Sequence, residues 1–326
     1  MKRALITGIT GQDGHHLTGF LLAKGYEVHG IVVPEQDAKF ESFTALYPKI
    51  TLHVGDLREA ESLITIVGLV QPHEIYHLGA LSFVGQSFHH PEATAEVTGF
   101  GTLRLLEAVR KNGLESSVRI YNAASSEMFG EVRESPQSEK TPFHPRSPYG
   151  VAKTFSFYSC VNYREAYGMH ISSGILFNHE GEYRGHEFVT RKITSNVARI
   201  ALGVQKRFSL GELTPSRDWG YAGDYVEAMW LMLQQETPDD YVIATGKTHT
   251  VADFVQASLK AAGLPGEIQD YVDFDKQFTR PAEVNYLVGD ASKAIAKLGW
   301  KPKVSFEELV TLMIDNDLKL EAKHTG

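Results

Sequence analysis

Gly8-x-x-Gly11-x-x-Gly14 is the feature that most constrains this chain, because of what flanks it. Ala4-Leu5-Ile6-Thr7 reads as a buried strand, and the residues after Gly14 place Leu17, Phe20 and Leu21 on one helical face before Gly25 stops the helix. A glycine turn between a strand and a helix lets the backbone approach a pyrophosphate, and the helix N-terminus adds N–H donors and partial positive charge. Gly8, Thr10, Gly11, Gln12, Asp13 and Gly14 are therefore candidate contacts of a dinucleotide. A tight turn that binds nothing could share this local sequence.

The remainder of the first half alternates strand and helix. Strands are expected over 27–33, 50–54, 74–78, 118–123 and 170–177, and helices over 59–71, 93–111 and 148–167. Alternation of this kind predicts an α/β fold, a Rossmann-type doubly wound parallel sheet with ligands at the carboxyl ends of its strands. After Phe177 the pattern loosens and Gly and Pro punctuate shorter elements, which predicts a smaller C-terminal α/β substrate-binding lobe. The expected division is 1–177 for the dinucleotide-binding domain, with 216–245 returning to it, and 178–215 with 246–326 for the lobe.

The net charge of −8 disfavours nucleic acid or an anionic membrane as a partner. Cys160 is the sole cysteine, so no intramolecular disulfide forms, and a reducing, cytoplasmic setting is expected. The chain opens directly on a strand without a charged-then-apolar leader, and no apolar run reaches membrane-spanning length. His15-His16 and His89-His90 lack metal-ligand spacing and read as surface or turn histidines; no metal is expected.

Ser147-Pro148-Tyr149-Gly150-Val151-Ala152-Lys153 opens a helix, with Ser147 as N-cap and Pro148 at the first position. Tyr-x-x-x-Lys sets a phenol and an ammonium on one face. The Lys charge is expected to lower the phenol pKa towards neutrality, as oxidation of a secondary alcohol requires. Solvated helix pairs share this spacing. Ser125 and Glu127 follow the strand expected at 118–123, so a hydroxyl and a carboxylate fall on the same sheet edge as Tyr149. A simple alcohol dehydrogenase needs Ser, Tyr and Lys; an added Glu invites a second proton transfer. A capping or solvated glutamate is the alternative.

On these motifs the chain resembles the extended short-chain dehydrogenase/reductases and, among them, the GDP-mannose 4,6-dehydratase family. The similarity runs through 7–14, 121–130, 147–153, 174–180, 188–192, 217–230 and 280–300, with Arg217-Asp218-Trp219-Gly220-Tyr221-Ala222 the most specific stretch along with Arg280-Pro281-Ala282-Glu283-Val284. The resemblance implies a lyase that turns a GDP-sugar into its 4-keto-6-deoxy form through bound NADP or NAD. It makes Ser125 the holder of the reacting hydroxyl, Tyr149 the base at C4, Lys153 its partner and Glu127 the acid/base at C5. It assigns Asp56 and Leu57 to the adenine end of the cofactor, Leu78, Gly79 and Ala80 to its middle, and His179 and Arg184 to further contacts. For the substrate it points to Ser82, Asn178, Lys192, Arg217, Arg280 and Glu283, with the segment at Val189-Thr190. It also implies a homodimer through the helices at 93–111 and 148–167.

Three features depart from the family pattern. Val33-Pro34-Glu35-Gln36 stands where an Arg-Arg-Ser-Ser segment usually grips the 2′-phosphate of NADP and joins subunits. Losing both arginines brings NAD closer to NADP, leaves Arg184 as the remaining phosphate contact, and argues against a tetramer. Leu81 and Phe83 replace the usual Gln and His, and Ala93 the usual Tyr, which reshapes the sugar pocket. A 4-epimerase, a 4-keto reductase, a decarboxylase, a dehydratase for another GDP-hexose or GDP-heptose, and a non-catalytic dinucleotide-binding protein are the competing readings. Glu127 argues against the first two.

Overall fold

The computed structural model describes residues 1–33, 37–278, 282, 284 and 286–325. Arg280, Glu283 and Pro34-Glu35-Gln36, with the roles expected of them, lie outside the described residues.

Seven parallel strands form one sheet: β1 (Arg3–Thr7), β2 (Glu27–Val32), β3 (Thr51–Val54), β4 (Glu74–His77), β5 (Arg119–Ser125), β6 (His170–Leu176) and β7 (Tyr241–Ile243). Their order is β7-β6-β5-β4-β1-β2-β3, which reverses direction between β1 and β4. A crevice opens at such a reversal, outside the carboxyl ends of the strands, and both Thr7 and His77 end their strands there in register. The central strands are buried on both faces because helices cover both. On one face α1 (Gln12–Ala23) packs on the later helix α7 (Ala222–Gln234). On the other lie α3 (Ala60–Val70), α4 (Gly101–Lys111) and α5 (Pro148–Tyr167). Helix α2 (Asp37–Leu46) links β2 to β3.

Helix α4 is preceded by one turn of α-helix, Pro91–Thr94, and by a π-helical stretch, Ala95–Phe100, rather than running unbroken from residue 93. The wider turn lets Thr98 Oγ1 accept from Leu81 N–H at 3.1 Å, which anchors the loop after β4. A separate apolar core joins α6 (Val189–Ala201), α8 (Val251–Ala261) and α10 (Phe306–Thr325) around Phe208, Trp219, Phe254 and Met313. Helix α9 (Ser292–Leu298) instead contributes Ala294 and Leu298, with Trp300 just beyond it, to the core shared by α1 and α7. The chain therefore crosses back to the large sheet after residue 246 as well as at 216–245. Buried Asp218 stitches these crossings, accepting from the N–H groups of Thr245, Gly246 and Gly289. Among the described residues no helix is long and apolar enough to cross a membrane.

Candidate active site

One cavity of about 620 Å³ runs along the carboxyl ends of the strands, from β3 past the sheet reversal to β6 and the segment that follows it. Gly8, Thr10, Gly11, Gln12, Asp13 and Gly14 line it, as do Asp56, Leu57, Leu78, Gly79, Ala80, Ser82, Ser125, Glu127, Tyr149, Lys153, Asn178, His179 and Arg184. Gly8 takes a left-handed φ of 69°, and a Cβ there would meet the Gly79 backbone at 2.9 Å. A Cβ on Gly14 would lie 2.0 Å from the Ile9 carbonyl. Side chains are thus excluded where strand, turn and helix converge, and the N-terminus of α1, capped by Gly11 without a side-chain hydrogen bond, faces the cavity. Such a cradle fits a pyrophosphate.

His179 links the cradle to the second lobe. Its Nδ1 donates to the Phe177 carbonyl at 2.8 Å and its Nε2 to Asp13 Oδ2 at 2.9 Å. Its ring stacks on Tyr225 at 4.8 Å. Burial disfavours the charged ring, but the Asp13 carboxylate outweighs it and the His179 pKa is raised. Burial likewise opposes ionisation of Asp13, yet the His179 charge and hydrogen bonds from His179 and Gln12 hold its pKa well below the usual carboxylate range.

At the other wall, β5 delivers Ser125, which caps the short helix Ser126–Met128 by accepting from Glu127 N–H at 3.2 Å. The alternative of a capping or solvated glutamate is not met: Ser125 is the cap, and Glu127 is buried, 7 % exposed, beside the cavity. Ser147 caps α5 by accepting from Gly150 N–H at 3.0 Å, which sets Tyr149 in its first turn. Tyr149 lies close enough to Ser125 and to the Glu127 carboxylate for both to influence its phenol, so the three groups share one corner.

The expected lowering of the phenol pKa by Lys153 is corrected here. Burial raises the Tyr149 pKa, the Ser125 hydroxyl opposes the rise, and Glu127 adds to it. Lys153 Nζ instead donates to the Ala123 carbonyl at 2.6 Å and lies 5.8 Å from the Tyr149 ring centre. Burial lowers the Lys153 pKa to about 8, with Asp13 opposing.

Several proposed substrate residues lie apart from this cavity. Thr190 is buried and donates to Glu180 Oε2 at 2.6 Å, Lys192 Nζ sits 3.1 Å over the Phe278 ring centre, and buried Arg217 donates to the Ser216 carbonyl at 3.0 Å. Arg184 lines the catalytic end, paired through Nε to Glu180 Oε2 at 2.8 Å and close enough to Tyr149 to influence it. Leu81, Phe83 and Ala93, the departures noted in the sequence, all line the cavity, so its wall beside Tyr149 and Ser82 is largely apolar.

Sequence reasoning missed Arg58, Tyr183 and Phe188, which also line the cavity. It also misplaced His15 and His16. Rather than lying on the surface, His15 stacks on Tyr183 at 4.3 Å and packs on Phe43 and Tyr47, while His16 Nε2 lies 3.7 Å from Glu182 Oε2. This aromatic knot clamps α1 and α2 to the loop that carries Arg184. Its members are far apart in sequence, so periodicity gave no signal.

A parallel sheet reversing at a glycine cradle, with Ser, Tyr and Lys on its carboxyl edge, defines an extended short-chain dehydrogenase/reductase. The family model for GDP-mannose 4,6 dehydratase matches residues 5–313, and the chain belongs to that family. GDP-mannose 4,6 dehydratase 1 of Arabidopsis thaliana is 52% identical over 329 residues, covering 98% of this chain and 90% of that protein. Human GDP-mannose 4,6 dehydratase is 49% identical over 340 residues, covering 97% and 91%. Among solved structures, Thermus thermophilus UDP-glucose 4-epimerase in complex with NAD superposes with a TM-score of 0.83 at 28% identity, over 97% of this chain and 98% of that one.

Proposed function

We infer that the protein is a GDP-mannose 4,6-dehydratase, a hydro-lyase that converts GDP-D-mannose to GDP-4-keto-6-deoxy-D-mannose through a bound nicotinamide dinucleotide. The observation that carries the reading is a carboxylate, Glu127, buried in the same corner as the Ser125 and Tyr149 pair. When bound, the dinucleotide supplies the hydride acceptor at sugar C4, the hydride donor at C6 and a positively charged ring beside the phenol.

The chain's own groups supply the rest. Ser125 Oγ, in the same corner as the phenol, orients the C4 hydroxyl, and Tyr149 takes its proton. Tyr149 does so as its phenolate, formed beforehand by loss of its proton to solvent, and is left as the neutral phenol; burial raises its pKa and so makes the phenolate a strong base, and the ammonium of Lys153, held by the Ala123 carbonyl, offsets its charge. The ketone at C4 acidifies the C5 hydrogen. Glu127 removes that hydrogen as a proton and, once protonated, delivers it to the departing C6 hydroxyl, so water leaves without a separate acid. No net oxidation results.

In this reading Gly8, Thr10, Gly11, Gln12, Asp13 and Gly14 hold the pyrophosphate, Leu78, Gly79 and Ala80 the middle of the dinucleotide, and Asp56 and Leu57 its adenine end. Asn178, Ser82, Lys192, Arg217 and the Val189-Thr190 start of α6 would reach the GDP-sugar only with the outlying groups drawn towards the cavity. NADP is the bound form favoured, with NAD within about a hundredfold. The protein acts as a cytoplasmic homodimer: Phe100, Val151, Phe155 and Tyr158 expose an apolar face on the π-helical stretch and α5, flanked by a groove that Leu103 and Pro145 also line.

Incubation with GDP-mannose tests the reading. A dehydratase releases a product lighter by one water and carrying a ketone, with no net change in reduced cofactor. A 4-epimerase gives an isomer of unchanged mass, a 4-keto reductase consumes reduced cofactor on a keto substrate, and a binding protein gives no product.

A further inference from the structure

The two ends of the cavity differ in charge. Lys153, His179 and Arg184 all stand at the catalytic and pyrophosphate end, and each is engaged there, with Ala123, Asp13 and Glu180 respectively. Arg184, paired with Glu180 and near enough to Tyr149 to influence it, is thereby engaged at the catalytic end rather than in the phosphate contact that the sequence left to it. At the opposite end the lining is Ile31, Val32, Val33, Gly55, Asp56, Leu57 and a single cation among the described residues, Arg58.

Arg58 is a fixed feature of that end. Its Nε donates to Asp56 Oδ1 at 3.0 Å and to Oδ2 at 2.8 Å, its terminal nitrogen also pairs with Oδ2, and its backbone N–H donates to Oδ1 at 2.8 Å. These bonds hold the Asp56 pKa below the carboxylate range, chiefly through the guanidinium. Asp56 is nearly buried, whereas the Arg58 side chain is 55% exposed and borders the cavity. A guanidinium fixed by a carboxylate keeps its plane oriented, and its delocalised charge at the cavity wall attracts a second anion.

With the pyrophosphate over the N-terminus of α1, the adenosine ribose lies at the end of β2 and the adenine beyond it towards β3. We propose that Arg58, presented from β3 by Asp56, reads the 2′-phosphate of the dinucleotide and so takes over the task that two arginines after β2 perform in the family. The proposal rests on reading the cavity as a dinucleotide site. Asp56 and Arg58 cancel in charge, so a 2′-hydroxyl is tolerated there and a 2′-phosphate gains one charge-assisted partner.

The test is calorimetric titration of the full-length, nucleotide-stripped protein and its Arg58→Gln and Arg58→Lys variants with NADP and NAD, repeated with 2′,5′-ADP and 5′-AMP as fragments. Thermal melts confirm that each variant is folded. Arg58→Gln should weaken NADP and 2′,5′-ADP by about tenfold or more while NAD and 5′-AMP stay within about twofold, and Arg58→Lys should fall between. Equal weakening of both dinucleotides would mean that Arg58 acts by holding Asp56 against the adenine, and no weakening would mean that it only neutralises Asp56; either overturns this proposal alone. A parent protein that binds neither dinucleotide overturns the underlying reading as well.

Discussion

His179 Nε2 donates to Asp13 Oδ2 at 2.9 Å, joining the first turn after the glycine cradle to the start of the second lobe. With Nδ1 also donating, to the Phe177 carbonyl, both ring nitrogens carry protons and the pair is ionic. The His179 pKa is raised, so its contribution to stability is complete below the ordinary histidine value near 6.5 and is lost as pH rises through the raised value. Asp13 is depressed, so its contribution persists above the carboxylate range and is lost only in strong acid. The melting temperature of the parent should therefore exceed that of His179→Gln most below the ordinary histidine value, with the gap closing as pH rises through the raised value. A gap independent of pH would show that the ring acts by packing on Tyr225 alone.

Glu127→Gln keeps the size of the side chain and removes its basicity. Turnover should fall by about 10²–10⁴-fold while GDP-mannose binding changes little, and exchange of the C5 hydrogen with solvent should stop. Exchange at the parent rate would assign the C5 proton to another group.

The cradle and the Ser-Tyr-Lys-Glu set were legible because each is local: Gly8 to Gly14 and Tyr149 to Lys153 lie within single turns, and Ser125 and Glu127 on one strand end. Groups that act through distant partners were not. Arg58 gains meaning only beside the cavity, and the stack of His15 on Tyr183 joins residues far apart in the chain. Lys153 shows a subtler limit, because helical spacing places it near Tyr149 but cannot reveal that its ammonium is taken by the Ala123 carbonyl. The second lobe was read as one block after residue 246, yet Ala294, Leu298 and Trp300 pack on α1 and α7, since short Gly- and Pro-punctuated segments carry little periodicity.

Tyr149→Phe removes the group that takes the C4 proton and should abolish the transient reduced nicotinamide seen on adding substrate to the parent. Lys153→Met should do the same and also loosen retention of the dinucleotide, because the ammonium that lines the cavity is lost. Normal turnover by Tyr149→Phe would place the C4 base elsewhere.

The apolar face of α5 bears on assembly. Phe155 and Tyr158 are 41% and 56% exposed, an unusual pair to leave in water on a helix that also borders the catalytic corner. Light scattering at low micromolar protein should give a dimer for the parent and a monomer for Phe155→Glu with Tyr158→Glu. A parent that is monomeric, or a double variant that remains dimeric, would contradict assembly through this face.

The central claim is removal of hydride from C4, loss of water across C5 and C6, and return of that hydride to C6, with no net redox change. GDP-mannose carrying deuterium at C4 tests it most directly. The account predicts a 4-keto-6-deoxy product with that deuterium at C6, solvent hydrogen at C5 and no accumulation of reduced cofactor. Deuterium retained at C4, or released into free reduced dinucleotide, would contradict it.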